Sequence, residues 1–171
     1  TLKQSFSFGM SYTITTDVIS SVNLPNGEGR TKATFENLPS AELFYLFANI
    51  PYDFTKWWSI NFSGGYGFFK FNPYKDELRP FSNETWSYLI QLESYFELRN
   101  AVSIDMNIAA RGPYASGIYR TEGVASLGLG IRKGLWKDKA SINFSVTDIF
   151  DSIREKQTMN YRGVWMSANN K

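Results

Sequence analysis

Apolar and polar residues alternate with a period of two along most of the chain. From Ser5 the odd positions read Ser5, Ser7, Gly9, Ser11, Thr13 and Thr15, and the even ones Phe6, Phe8, Met10, Tyr12 and Ile14. Successive side chains of an extended chain point to opposite faces, so this stretch predicts a strand with one small polar face and one large apolar face. A helix would scatter the same residues around its axis. The division recurs where Trp58, Ile60, Phe62 and Tyr66 alternate with Ser59, Asn61, Ser63 and Gly65. It recurs again for Val102, Ile104, Met106 and Ile108, for Leu127, Leu129 and Ile131, and for Ile142, Phe144 and Val146. Trp86 to Leu92 repeats it less cleanly because Leu89 falls on the polar side. Residues 30–53 read as extended, with aromatics on both faces around Phe44 to Phe47.

The connections between these runs alternate short and long. Tight turns fit at Phe54-Thr55-Lys56, Arg99-Asn100-Ala101 and Lys137-Asp138; long polar connections fit near Ser20 to Gly29, Asn72 to Glu84, Pro113 to Glu122 and Asp151 to Asn160. A soluble sandwich has no reason to gather its short turns at one end, whereas transmembrane barrels pair short periplasmic turns with longer outside loops. The polar face separates the two further. A solvated sheet face is rich in Lys, Glu and Thr. Here it is mostly Ser, Gly, Asn and Thr with isolated charges at Glu93, Asp105, Arg111 and Arg132, which suits a lumen. Trp57, Trp58 and Trp136 adjoin short turns and Trp86 follows a long connection, the depths at which barrels carry aromatic girdles. The pattern therefore predicts an all-β chain of about eight antiparallel transmembrane strands, a meander of hairpins forming part of a larger outer-membrane barrel.

Composition agrees. Aromatics reach 17% of the 171 residues while charged residues are only 20%, a heavy ring load that usually marks an interface with a partner, ligand or bilayer. The net charge of +2 and the absence of any basic cluster beyond Arg132-Lys133 argue against nucleic acid as a partner. With no Cys and no His, disulfides, thiolate or imidazole metal sites and Ser-His-Asp catalysis are excluded together. The longest apolar run, Leu43 to Ala48, is far short of the ~18 residues of a membrane helix, but a barrel strand escapes that test because only alternate residues face lipid.

Two short motifs carry a resemblance. Lys56-Trp57-Trp58-Ser59 opens a strand after a tight turn, and Val146-Thr147-Asp148-Ile149-Phe150-Asp151 closes a late one. With Asp17-Val18-Ile19 and Thr34-Phe35-Glu36-Asn37, they make the chain resemble the C-terminal barrel region of Bacteroidetes-type TonB-dependent receptors, an outer membrane β-barrel protein family. The resemblance implies the barrel wall of a receptor that takes up a nutrient such as a glycan or siderophore across the bacterial outer membrane. It implies a barrel of roughly 22 strands around a plug. Its partners would be outer-membrane lipid, the parent's plug domain, the energy-transducing TonB complex and a surface lipoprotein. Residues 1–171 are expected to be a single β-barrel segment lacking the plug domain and the terminal strand. The alternative is a soluble β-sandwich or small β-barrel binding module that uses its aromatic face for a ligand.

Candidate chemistry is sparse. Gly128, Gly130 and Gly134 are not spaced as a phosphate loop, and the strand alternation continues through them, so they read as room for a neighbouring ring or for curvature. Asp148 and Asp151 lack the spacing of a calcium loop and read as strand-end structure. Glu93, Glu97 and Asp105 could gather on one face as a glycosidase pair would require, but Arg111 and Arg132 beside them favour a salt network. No catalytic, cofactor-binding or metal residue is expected, and the chain is expected not to be an enzyme. Tyr74, Phe81, Tyr114 and Tyr119 could contact a substrate or stiffen the loops.

Three expectations follow. The set Phe6, Phe8, Met10, Ile104, Met106, Leu127, Leu129, Phe144 and Val146 should point outward, and Ser7, Gly9, Ser11, Asp105, Asn107, Gly128 and Ser145 inward, with an Arg at Gly128 limited by space. Glu93, Asp105, Arg111 and Arg132 should share one lumen network. Because opposed residues share a face, Leu98 should oppose Val102, Glu93 Asn107 and Tyr95 Asp105. An even loop at Lys137-Asp138 in a primed turn should set Ile131 against Phe144 and Leu129 against Val146.

Overall fold

A computed structural model describes residues 4–25, 31–72, 83–137, 139–161 and 164–170. The described residues contain strands and no helix. In chain order they are β1 (Ser7–Pro25), β2 (Thr31–Asp53), β3 (Trp58–Asn72), β4 (Asn83–Leu98) and β5 (Val102–Arg111). There follow β6 (Tyr114–Ser116), β7 (Tyr119–Thr121), β8 (Val124–Leu135), β9 (Ala140–Val146), β10 (Glu155–Tyr161) and β11 (Val164–Asn170). Seven of them form the expected antiparallel meander, in the order β1-β2-β3-β4-β5-β8-β9. The other four make a second sheet, β11-β10-β7-β6, which the alternation did not predict. β6 and β7 fall within Pro113–Glu122 and most of β10 within Asp151–Asn160, both expected as plain connections, and β11 follows at Val164–Asn170. The expected connection Ser20 to Gly29 is likewise shortened, because β1 runs on to Pro25.

Register follows parity. Leu98 opposes Val102, Tyr95 opposes Asp105, Glu93 opposes Asn107, Ile131 opposes Phe144 and Leu129 opposes Val146. Asn100 and Ala101 both take left-handed φ, which turns the chain within three residues. No bulge forms at Gly134, which simply opposes Ser141. Leu135 opposes Ala140 and the Lys139 amide donates to the Trp136 carbonyl (3.4 Å), the closure expected of a two-residue connection after Trp136; Trp136 and Lys137 take left-handed φ. Asp138 lies outside the described residues. The first tight turn, by contrast, is displaced by one: the Phe54 amide donates to the Trp58 carbonyl (3.0 Å), so Thr55–Trp57 forms the connection.

The 19 residues of β1 would extend about 60 Å, far more than the ~9–11 residues that cross a bilayer, so the β1–β2 hairpin rises beyond the wall. At its midpoint the pleat inverts. Asp17 has a left-handed φ of 55° and lies between the pairs Thr16–Ser40 and Val18–Leu38, hence opposite Pro39. Below this point the even residues face outward. Above it Ser20, Val22 and Leu38 are buried, while Ile19 and Phe35 are exposed. The inversion matters because Val22 and Leu38, with Ile118 and Met159, form the fully buried apolar cluster among the described residues; Val18, Phe71, Tyr119 and Met166 pack against it. That core belongs to a cap at the long-connection end. The wall below it keeps its large apolar residues on the surface.

Candidate membrane wall and inner cavity

Outward-facing residues of neighbouring strands fall into rows. Trp58 opposes Phe96, and ten residues further along both strands Phe68 opposes Trp86. Ten residues at ~3.3 Å, on strands tilted by about 40°, rise about 25 Å, the height of the apolar band of an outer-membrane barrel. The lower row is a stack of rings: Phe54–Trp58 centroids lie 4.1 Å apart and Trp58–Phe96 5.8 Å. The upper row adds Tyr12 and Phe44, and Tyr66 stacks on Trp86 at 5.1 Å. Immediately above the upper row the outward positions turn charged, where Glu42, Lys70 and Glu84 oppose one another in turn. Lys70 lies 3.5 Å from Glu42. At the lower end of β8, outward-facing Lys133 reaches past the turn to the Asn100 carbonyl, as a snorkelling lysine does.

Between these limits Phe8, Met10, Ile131 and Phe144 are 71%, 70%, 48% and 67% exposed, and no second sheet covers them. That is the outward set expected from sequence, and it removes the sandwich alternative, in which the same residues would be packed inside. Ser94, the polar residue within this face, is buried under Trp58, whose indole N–H donates to its hydroxyl at 2.9 Å.

The inner face carries the small polar partners. Three of its glycines make room for rings: a Cβ at Gly9 would intrude on Phe47, and one at Gly65 or Gly67 on Tyr45. Gly130 instead faces the Asp105 carboxylate. The four inner charges do not form one network. Glu93 accepts from the Tyr95 hydroxyl (3.1 Å), and Arg111 pairs with Glu155 of the cap (2.5 Å). Arg132 is exposed three residues from the turn end of β8, with no ion pair among the described residues. The expectation failed because Arg111 opposes Leu89, six residues above the level of Asp105 on the same strand, and the cap supplies a nearer carboxylate.

β6 lies across β3 and β4 on the inner side, and several bonds hold the cap there. The Asn83 amide donates to the carbonyls of Gly117 (2.9 Å) and Tyr119 (2.7 Å) and Arg111 pairs with Glu155, while within the cap Lys156 pairs with Glu122 (2.9 Å). Beneath the cap is an open cavity of about 500 Å³ lined by Leu43, Tyr45, Phe69, Tyr88 and Leu89, with Ser11 and Ser87 beside them. Arg111 and Tyr114 form its rim, the guanidinium 4.6 Å from the ring centroid. Of the expected loop aromatics, Tyr114 lines this cavity and Tyr119 packs into the cap core. Tyr74 and Phe81 lie outside the described residues. Sequence reasoning missed Glu155 and Asn83, whose partners are 44 and 34–36 positions away.

Asp148 has the strand-end role expected of it. One carboxylate oxygen accepts from the Ser152 hydroxyl (2.7 Å) and amide (3.0 Å), the other from the Ile153 amide (3.0 Å). The Ser152 hydroxyl bond foremost, then these amides, hold the Asp148 carboxyl below its ordinary pKa. The Ile149 amide continues the ladder to the Leu127 carbonyl at 2.9 Å. Asp151 is engaged by Arg154 at 2.8 Å. The Val146–Asp151 motif is thus a turn that ends the wall and starts the path to the cap.

A family model described as the outer membrane protein beta-barrel family matches residues 1–171. No curated protein and no solved structure matches the chain.

Proposed function

Since the chain belongs to the outer membrane protein β-barrel family of the bacterial outer membrane, we propose that it is part of the wall of a TonB-dependent receptor that imports a nutrient. One observation carries the step from a wall to a larger transport barrel. Among the described residues β1 and β9 each pair on one side only, so both edges of the wall are bare. An unpaired backbone group in hydrocarbon costs several kcal/mol, so membrane barrels close completely. Further strands must complete this one, and a widened barrel leaves the Ser-, Gly- and Asn-rich inner face around a lumen large enough for a plug and a solute. The cap core stands at the end opposite the short turns, which is the outside of the cell in such barrels. On this reading the lipid-facing band meets the membrane and the inner face meets the plug. Energy comes from the inner-membrane complex through the parent protein, with a surface lipoprotein as a further partner. The chain itself does no chemistry and holds no cofactor.

Deletion of this segment from the parent gene in the source bacterium tests the reading, with uptake of radiolabelled glycans and iron chelates measured in intact cells. Energised cells should lose uptake of one such nutrient on deletion, and wild-type cells should lose it when the proton gradient is collapsed. Uptake that survives collapse of the gradient would make the protein a passive pore.

A further inference from the structure

We propose that the cavity beneath the cap binds a small aromatic acid, one or two fused rings bearing a carboxylate, and that this carboxylate takes Arg111 from Glu155. The inference deepens the transport reading, on which it rests for its biological use, by naming a ligand class for the inner face.

The shape and lining come first. A volume of about 500 Å³ is within the range of small-molecule sites, which are largely apolar with a few placed polar groups. Leu43, Tyr45, Phe69, Tyr88 and Leu89 offer a lining for a flat apolar body. A glycan would gain little from the apolar Leu43, Phe69 and Leu89 and would not call on the charge of Arg111. An apolar neutral compound would leave the rim unused.

The rim is Arg111, and its present bonding is incomplete. Its guanidinium has five donors in a planar fork suited to bidentate capture of a carboxylate. One terminal nitrogen meets one oxygen of Glu155, and Nε is buried with no acceptor. The Tyr114 ring lies against the same guanidinium and would continue the ring-lined wall. The Arg111–Glu155 pair is partly exposed, at 32% and 41%, so Glu155 can turn to water when displaced. Glu155 is also the first residue of β10, the strand that joins β7 to β11 in the cap. Occupancy of the cavity and the hold of the cap therefore share one guanidinium.

The test uses the whole outer-membrane protein in lipid nanodiscs, with 2-naphthoate as probe and 2-naphthalenemethanol as its neutral counterpart, read by equilibrium dialysis. Naphthoate should bind saturably and about ten-fold tighter than the alcohol. Arg111→Gln should erase that preference. Glu155→Gln, which removes the competing carboxylate, should tighten naphthoate binding several-fold, a direction that misfolding cannot produce. Equal binding of the two probes, no effect of Glu155→Gln, or no saturable binding because a plug fills the cavity would each overturn the assignment. Energy-dependent uptake alongside any of these results would leave the transport reading standing. Passive uptake alongside carboxylate-selective binding would remove that reading alone.

Discussion

Leu129 and Gly128 are neighbours in sequence on opposite faces of β8, so an arginine at each probes the wall directly. Leu129 faces outward between Met106 and Val146 and is 40% exposed. It lies four residues above Lys133, a rise of about 10 Å on a tilted strand, which puts it near the middle of a ~25 Å band. Arginine at such a depth costs about 2–4 kcal/mol, a loss of roughly 30- to 900-fold in the folded-to-unfolded ratio. At Gly128 a Cβ would meet only the Val146 carbonyl at 3.4 Å, Thr147 Cα at 3.8 Å and the Asn107 carbonyl at 4.0 Å, all ordinary contacts. The Cβ itself therefore has room, any limit of space falls on the rest of the arginine over the inner face, and the cost should be well below that at Leu129. Urea unfolding of the whole protein in lipid vesicles, followed by tryptophan fluorescence, gives both midpoints. Leu129→Arg should lower the midpoint strongly and Gly128→Arg much less. The reverse order would mean that the two faces of the wall have been exchanged.

Three further outcomes are expected. Gly65→Ala should destabilise the wall by about 1–3 kcal/mol through overlap with Tyr45, and Tyr45→Ala in the same chain should recover part of the loss in a double-mutant cycle. Leu38→Ala should cost the cap about 2–5 kcal/mol, seen as faster proteolysis within residues 113–122 while the unfolding midpoint of the wall stays put. The folded pKa of Asp148 is depressed, so its contribution is fully present above the unfolded value of about 3.9 and is lost as pH falls through the lower folded value. Proteolysis around 150–154 should therefore be constant from pH 7 to about 5 and rise below about 4, and Asp148→Asn should remove that pH dependence.

What the sequence determined by itself is what alternation can encode. Phe8 and Met10 face one way and Gly9 and Ser11 the other because consecutive side chains of a strand must diverge. Register across Asn100 and around Lys137 follows from parity alone, since Leu98 and Val102, or Ile131 and Phe144, must share a face. The Asp148 turn was legible because its donors, Ser152 and Ile153, are local. The cap was not. β6, β7 and β10 are short or polar, and they are strands only because Gln157 finds Thr121 and Met159 finds Tyr119 across 36 and 40 positions. The pleat inversion was hidden for a different reason. Asp17 takes a left-handed φ opposite Pro39, and alternation carried through it would turn Val22 to the outer face, above the apolar band and exposed to water. Only the packing of Val22 and Leu38 against Ile118 and Met159 makes that inversion favourable, and with it the cap over Arg111.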